Sequence, residues 1–187
     1  TGIAPSLAYE APGRPVIAWS DDSSGNEEIY VKRFDGTAWV GLGGSATGGG
    51  VSRTSTPSRS PSIAMTAAGQ PVVAWEERLA DGNSEILART FDGVRWVEFG
   101  AGPAANGGVS NTAGDSWRPS LAVSGERFFA SWGDASDPQG DAEIYGRYYE
   151  SGAWREIGGR SARGGGISNN VGISTHPCGG VGGGYLY

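Results

Sequence analysis

Apolar and polar positions alternate along this chain in runs of four to nine residues, separated by clusters of Gly, Pro, Asp and Ser. Runs of that length and punctuation suit β-strands better than helices. The first such unit predicts four strands: A over Ser6 to Glu10, B over Pro15 to Asp21, C over Glu28 to Phe34 and D from Trp39 to about Leu42. Pro12-Gly13 turns A into B, and Asp35-Gly36 turns C into D, where glycine tolerates a positive φ. In B, Val16, Ile17 and Trp19 are apolar while Ala18 leaves space for a neighbouring sheet. In C, Ile29 and Val31 point one way and Tyr30 and Phe34 the other. A strand with apolar groups on both faces belongs in a stack of sheets.

The unit repeats at a period of about 57 residues, and such a period decides the architecture before local propensity does. PSLAYEAPGRPVIAW from Pro5 returns as PSIAMTAAGQPVVAW from Pro61 and PSLAVSGERFFASW from Pro119. EIYVKRFDGTAW, EILARTFDGVRW and EIYGRYYESGAW follow in register from Glu28, Glu85 and Glu143. Each copy then runs through a Gly-rich linker into the next Pro. Four short antiparallel strands, a Trp in B, a Trp in D and a long return linker describe a blade, so the expected fold is all-β, a β-propeller of four-stranded antiparallel blades. Blade 1 is expected over about 5–60, blade 2 over about 61–118 and blade 3 over about 119–176, with 177–187 a degenerate start of a fourth that can add an edge strand. Three blades are fewer than a closed ring uses. A homo-oligomer closing the ring, or a longer chain of which this is a fragment, is the expectation, and Thr1 without a Met or a signal-like stretch fits a processed protein or a fragment.

Composition narrows the classes. The 187 residues include 34 Gly without a G-X-Y period, and aromatics at 10% are too many for simple disorder. A net charge of -6 argues against nucleic acid. No run approaches the roughly 18 apolar residues of a spanning helix, so no membrane insertion is expected. Cys178 and His176 are single in the chain, which leaves no material for structural zinc or a Ser-His-Asp triad.

The pattern P-S-x-A, G-x-P-x-V-A-W, G-N-x-E-I-Y and D-G-x-x-W resembles bacterial propeller repeats related to the sialidase or Asp-box superfamily. It extends from Pro5 to Pro177. Asp35-Gly36-Thr37-Ala38-Trp39 and Asp92-Gly93-Val94-Arg95-Trp96 keep the Asp, Gly and Trp of the Asp-box but omit one spacer residue, and Ser151-Gly152-Ala153-Trp154 lacks the Asp. The resemblance implies a secreted or cell-surface protein. A sialidase-type reaction would require an arginine cluster, a Tyr/Glu nucleophile pair and an Asp acid at the ring centre. No Arg-Ile-Pro-type element is present, so the chain is expected to be a non-catalytic recognition or adhesion module, lectin-like on glycans. A protein-interaction scaffold and a glycoside hydrolase fragment are the alternatives.

Long loops on a rigid scaffold carry recognition, and here the B-to-C loops and the D-to-A linkers share one end of each blade. The candidate ligand-binding residues at that end are Trp117, Arg118, Arg59, His176, Asn111 and Asn169, with a glycan or a protein as partner. The B-to-C segments hold 12 of the 20 acids. No cofactor is expected, with calcium as the alternative those acids leave open; its candidate ligands are Asp21, Asp22, Asn26, Asp81, Asp134 and Asp141. Glu28, Glu85 and Glu143 each precede Lys32, Arg89 or Arg147 by four residues on the same face, and read as a repeated structural charge pair or a bond to the adjoining blade.

Overall fold

The computed structural model describes residues 3–100, 108–125, 127–179, 181–182 and 185–186. These form three antiparallel four-stranded meanders without a helix: β1 (Ile3–Ala11), β2 (Arg14–Asp21), β3 (Glu28–Phe34), β4 (Trp39–Gly41); β5 (Ser58–Met65), β6 (Pro71–Arg78), β7 (Ser84–Phe91), β8 (Trp96–Glu98); β9 (Ser116–Ser124), β10 (Arg127–Asp134), β11 (Glu143–Glu150) and β12 (Ala153–Glu156). β1, β5 and β9 are the strands by which successive sheets meet at the axis. The expected four strands per unit are all present. The fourth start differs from the expected edge strand: β13 (Val181–Gly182) and β14 (Tyr185–Leu186) pair only with each other and lie against β9.

Strand D stops after three or four residues in each blade because the return linker takes over the edge of strand C. Val51 N–H donates to the Ile29 carbonyl at 2.6 Å, Val109 to Ile86 at 2.7 Å and Ile167 to Ile144 at 2.7 Å. The open row of C-strand groups is thereby covered.

Period-two alternation divides each sheet between two neighbours. On β6, Val73 and Trp75 face blade 1, and pack with Val16, Ala18, Ile29, Val31, Leu42 and Val51. Val72 and Ala74 on the same strand face blade 3, against Phe128, Ala130, Trp132 and Tyr145. Five consecutive residues of β6 are therefore buried, whereas β2, covered on one side, alternates. The small residue expected at Ala18 does leave the space that the next sheet occupies. The A-to-B turn of blade 3 is one residue shorter, yet the ladder keeps its register, with Ser131 opposite Ser120 as Ala18 is opposite Ser6 and Ala74 opposite Ser62.

Polar seams repeat with the packing. At the axis the Ser6 hydroxyl accepts from Ile63 N–H at 3.1 Å, Ser62 from Leu121 at 2.9 Å and Ser120 from Gly179 at 2.8 Å. The last of these seats the fourth start in the place of a next inner strand. At the rim, Trp96 Nε1 donates to the Leu42 carbonyl at 2.8 Å and Trp154 Nε1 to the Phe99 carbonyl at 3.0 Å. Arg89 reaches back to the Val51 and Ser52 carbonyls and Arg147 to Val109. Of the two readings of the strand-C charges, the bond to the adjoining blade is the one the arginines make, to the preceding blade's linker, while the glutamates turn to their own linker and no Glu–Arg pair along the strand forms among the described residues.

Blade 1 has no described neighbour on one face. Leu7 and Tyr9 are 53% and 59% exposed, while Ile63 and Leu121, the counterparts of Leu7, are 5% and 7% exposed. Trp75→Ala is expected to cost about 3–5 kcal/mol in urea unfolding, the range for emptying a buried aromatic site. Trp19→Ala, at the same place in the repeat but on the uncovered face, should cost less than half as much. Equal losses would show that another polypeptide covers blade 1 in solution.

Candidate functional site

Each inner strand enters the fold by the same device, an X-Pro step with a residue in the left-handed region. The residues are Ala4 at φ 51°, Ser60 at 52°, Arg118 at 50° and His176 at 63°. A non-glycine residue pays about 1–2 kcal/mol for that conformation, and a following proline restricts it further. Register shifts between Ile3 and Ser6, between Arg59 and Ser62, and between Ser131 and Gly133 opposite Trp117 mark a bulge at the same step in each blade. Bulges re-aim side chains. Here the four X residues, the prolines after them and Ser6, Ser62 and Ser120 line one cavity of about 350 Å³ on the axis, at the long-loop end. The Pro recurs at all four steps and the Ser after it in the three blades, with Cys178 in its place at the fourth, whereas X is Ala, Ser, Arg or His.

Of the six expected ligand contacts, the structure brings Arg118 and His176 together in this cavity. The Arg118 guanidinium has no hydrogen bond or ion pair among the described residues, and His176 meets only the Thr175 hydroxyl, at 2.8 Å. Arg59 lies outside, ion-paired to Glu27 at 2.5 Å across the first seam. Trp117 lies on Gly133, where an added Cβ would come within 2.5 Å of the indole nitrogen. Asn111 and Asn169 occupy left-handed turn positions of the return linkers at φ 45° and 41°, and Asn169 borders a separate cavity with Arg160, Arg163 and the glycines 164–166.

Glu76 was missed among the loop acids. It stands on β6 opposite Arg59 in the ladder, at the position that Ser20 and Gly133 hold in the other blades. Its half-buried carboxylate accepts the backbone N–H of Arg118. Burial raises its pKa, opposed by that bond and by the charges of Arg59 and Arg118. Aligning the residue after each B-strand Trp exposes the departure: a carboxylate where the other copies carry a hydroxyl or a hydrogen.

The candidate calcium ligands fall in turns of three separate blades. Asp21 accepts from Ser23 N–H at 2.8 Å and Asp81 from Asn83 N–H at 2.9 Å, both within their turns. Asp22 sits beside Asp21, with its carbonyl closing the turn to Gly25. Asn26 donates to the Thr56 carbonyl at 2.8 Å, and Asp141 accepts from Gly172 N–H at 3.3 Å. Asp134 is fully buried and accepts from Trp132 Nε1, Ser116, Thr112 and Ser136 N–H. Among the described residues no group of three or more His, Cys, Asp or Glu side chains is arranged to hold a metal ion.

Glu28, Glu85 and Glu143 form a repeated clasp. Each takes the hydroxyl proton of a linker serine, Ser52, Ser110 or Ser168, and that same serine oxygen accepts the next N–H of strand C at 2.7 to 2.9 Å. Desolvation is the largest influence on Glu85 and raises it to about 7 against hydrogen bonds from Ser110 and Thr112.

No protein-family model matches the chain, and no curated protein does. Solved structures match in fold. A Penicillium chrysogenum α-L-arabinanase complexed with arabinobiose aligns with a TM-score of 0.54 at 15% identity, over 83% of this chain and 48% of that one. A thermostable family-43 glycoside hydrolase gives 0.52 at 13%, over 85% and 55%, and a Lactobacillus brevis α-L-arabinofuranosidase 0.52 at 14%, over 83% and 54%. The chain spans about half the length of these neighbours. At such identities the likeness is one of fold, and it establishes the sheets as blades of a β-propeller. It also corrects two expectations. The neighbours are named as glycoside hydrolases, so the expectation of a non-enzyme is overturned, and the propeller is supported without the Asp-box affiliation.

Because Glu85 holds its proton more tightly folded than unfolded, its contribution to stability is full below about pH 4.5 and is lost as pH rises towards 7. Urea midpoints measured across that interval should fall in the wild type, and Glu85→Gln should flatten the fall. An unchanged slope in the variant would assign the effect elsewhere.

Proposed function

We propose that this chain is a segment of a carbohydrate-active β-propeller of the glycoside hydrolase kind, which holds its glycan at the axial cavity. One observation carries the reading: in a chain of near-copies, one position that differs in every copy, Ala4, Ser60, Arg118 and His176, converges on a single cavity at the axis, each residue presented by a strained backbone step. Strain of that kind concentrates at ligand clamps and active sites. The fold neighbours support the reading, since their names describe carbohydrate-cleaving enzymes. The cavity's chemistry supports it as well: pyrrolidine rings offer apolar surface to sugar C–H groups, and Ser60, Arg118 and His176 offer polar contacts.

Glycoside hydrolysis uses two carboxyl groups, one of them an acid with a raised pKa. Glu76 has that environment, next to Arg118, which lines the cavity. In this reading it is the acid, and a carboxylate from a further blade of the ring is its partner. The test is calorimetric titration with arabino-, xylo- and manno-oligosaccharides, together with turnover of 4-nitrophenyl α-L-arabinofuranoside. Binding is expected to weaken at least tenfold in Ala4→Trp, which fills the cavity from its rim. Turnover should fall at least ~100-fold in Glu76→Gln with KM little changed. A Glu76→Gln protein as active as wild type, or a panel without turnover, removes the hydrolytic assignment; a panel without binding removes the whole reading.

A further inference from the structure

The axial cavity has a charge opposite to that of the chain around it. The sequence holds 20 acidic side chains and a net charge of -6, yet no carboxylate lines this cavity, while an arginine and the chain's single histidine do. The acids nearby are already engaged. Glu27 is paired with Arg59, Asp115 with Arg78 and the Ser84 N–H, and Glu76 holds the backbone N–H of Arg118. What remains without a hydrogen bond or ion pair at the axis, among the described residues, is the Arg118 guanidinium, with the Glu76 charge near it, on a strand entry whose φ of 50° goes with a bulge, a proline and the Glu76 carboxylate. The guanidinium carried on this backbone step offers a planar fork of donors that matches a carboxylate in bidentate fashion. The hydroxyl of Ser60, with no partner among the described residues, and the His176 imidazole flank it.

We infer that the axial cavity selects a carboxylate-bearing sugar, a uronic acid residue, with its carboxylate on Arg118 and its ring hydroxyls on Ser60 and His176. The inference rests on the glycan reading above and narrows it to an acidic substrate. Glu76 then acts on binding also as a positioning residue, by fixing the backbone from which Arg118 reaches.

The test compares trigalacturonate and a glucuronate-containing disaccharide with their methyl esters, and with sodium acetate as the anion alone, by calorimetry at low and at 0.3 M salt. At least one acid is expected to bind tenfold or more tightly than its ester, with the difference shrinking in salt, and acetate should bind far more weakly than either acid. Arg118→Gln should erase the preference for acid over ester while the melting temperature stays put, because the guanidinium makes no contact on which the fold depends. Arg118→Lys should restore only part of it. Equal affinity for acid and ester, or a preference that survives Arg118→Gln, overturns the acidic-sugar assignment and leaves the glycan reading standing if the neutral oligosaccharides bind. Acetate binding as tightly as the sugar acids overturns the sugar's part. Failure of every acid, ester and neutral oligosaccharide to bind overturns both.

Discussion

Every blade in this protein is a sheet that cannot satisfy itself. A four-stranded meander with apolar side chains on both faces needs a cover on each, and the repeat supplies it by giving the two faces opposite shapes. Forward faces carry the small residues Ala18 and Ala74, and backward faces carry the large ones, Trp75 and Trp132. Once that fit is set, the other interactions between blades follow in register: the inner serine against the next backbone N–H, the outer Trp against the previous carbonyl, the strand-C arginine against the previous linker. Burial supplies most of the free energy, and the hydrogen bonds set the angle and height at which one sheet meets the next.

The buried acids belong to the same economy of covering. Glu77 and Asp134 each collect the indole N–H of their B-strand Trp together with hydroxyl protons, and Glu28, Glu85 and Glu143 collect the linker serines. A buried carboxylate without partners would be costly, and each of these has at least two. These five acids thus fasten strand to strand and strand to linker. The linker is long because it has to double back over strand C, pair with it and still deliver the next inner strand to the axis.

Strands and repeat were readable from the chain because they depend on period-two alternation and on Gly and Pro punctuation, both local. The length of strand A was not, since its first residues lie before a bulge whose only local sign is the X-Pro step. Arg118 and His176 could be picked out as variable residues before that proline, but Arg59 and Trp117, one position earlier, point elsewhere because the bulge separates neighbours that plain alternation would have placed two apart. Glu76 was hidden for a related reason. Among the acids of its loop it looks solvated, and only the ladder pairing with Arg59 places it against the next blade's inner strand. The Glu–Arg spacing of four in strand C was true as a shared face and misleading as a pair, because a partner across the seam lay closer than the one along the strand.

The left-handed entry step separates the interior of the propeller from its axis. Each step offers one side chain that touches no hydrophobic core, in a backbone frame held by a Pro at all four steps and a following Ser in the three blades, so its identity is free to drift without altering how the blades stack. Ala4, Ser60, Arg118 and His176 are already four different outcomes on one frame. The axis therefore behaves as a set of independent letters, one contributed by each copy of a duplicated unit, and amplification of a blade by gene duplication lengthens that word before any of its letters has to change.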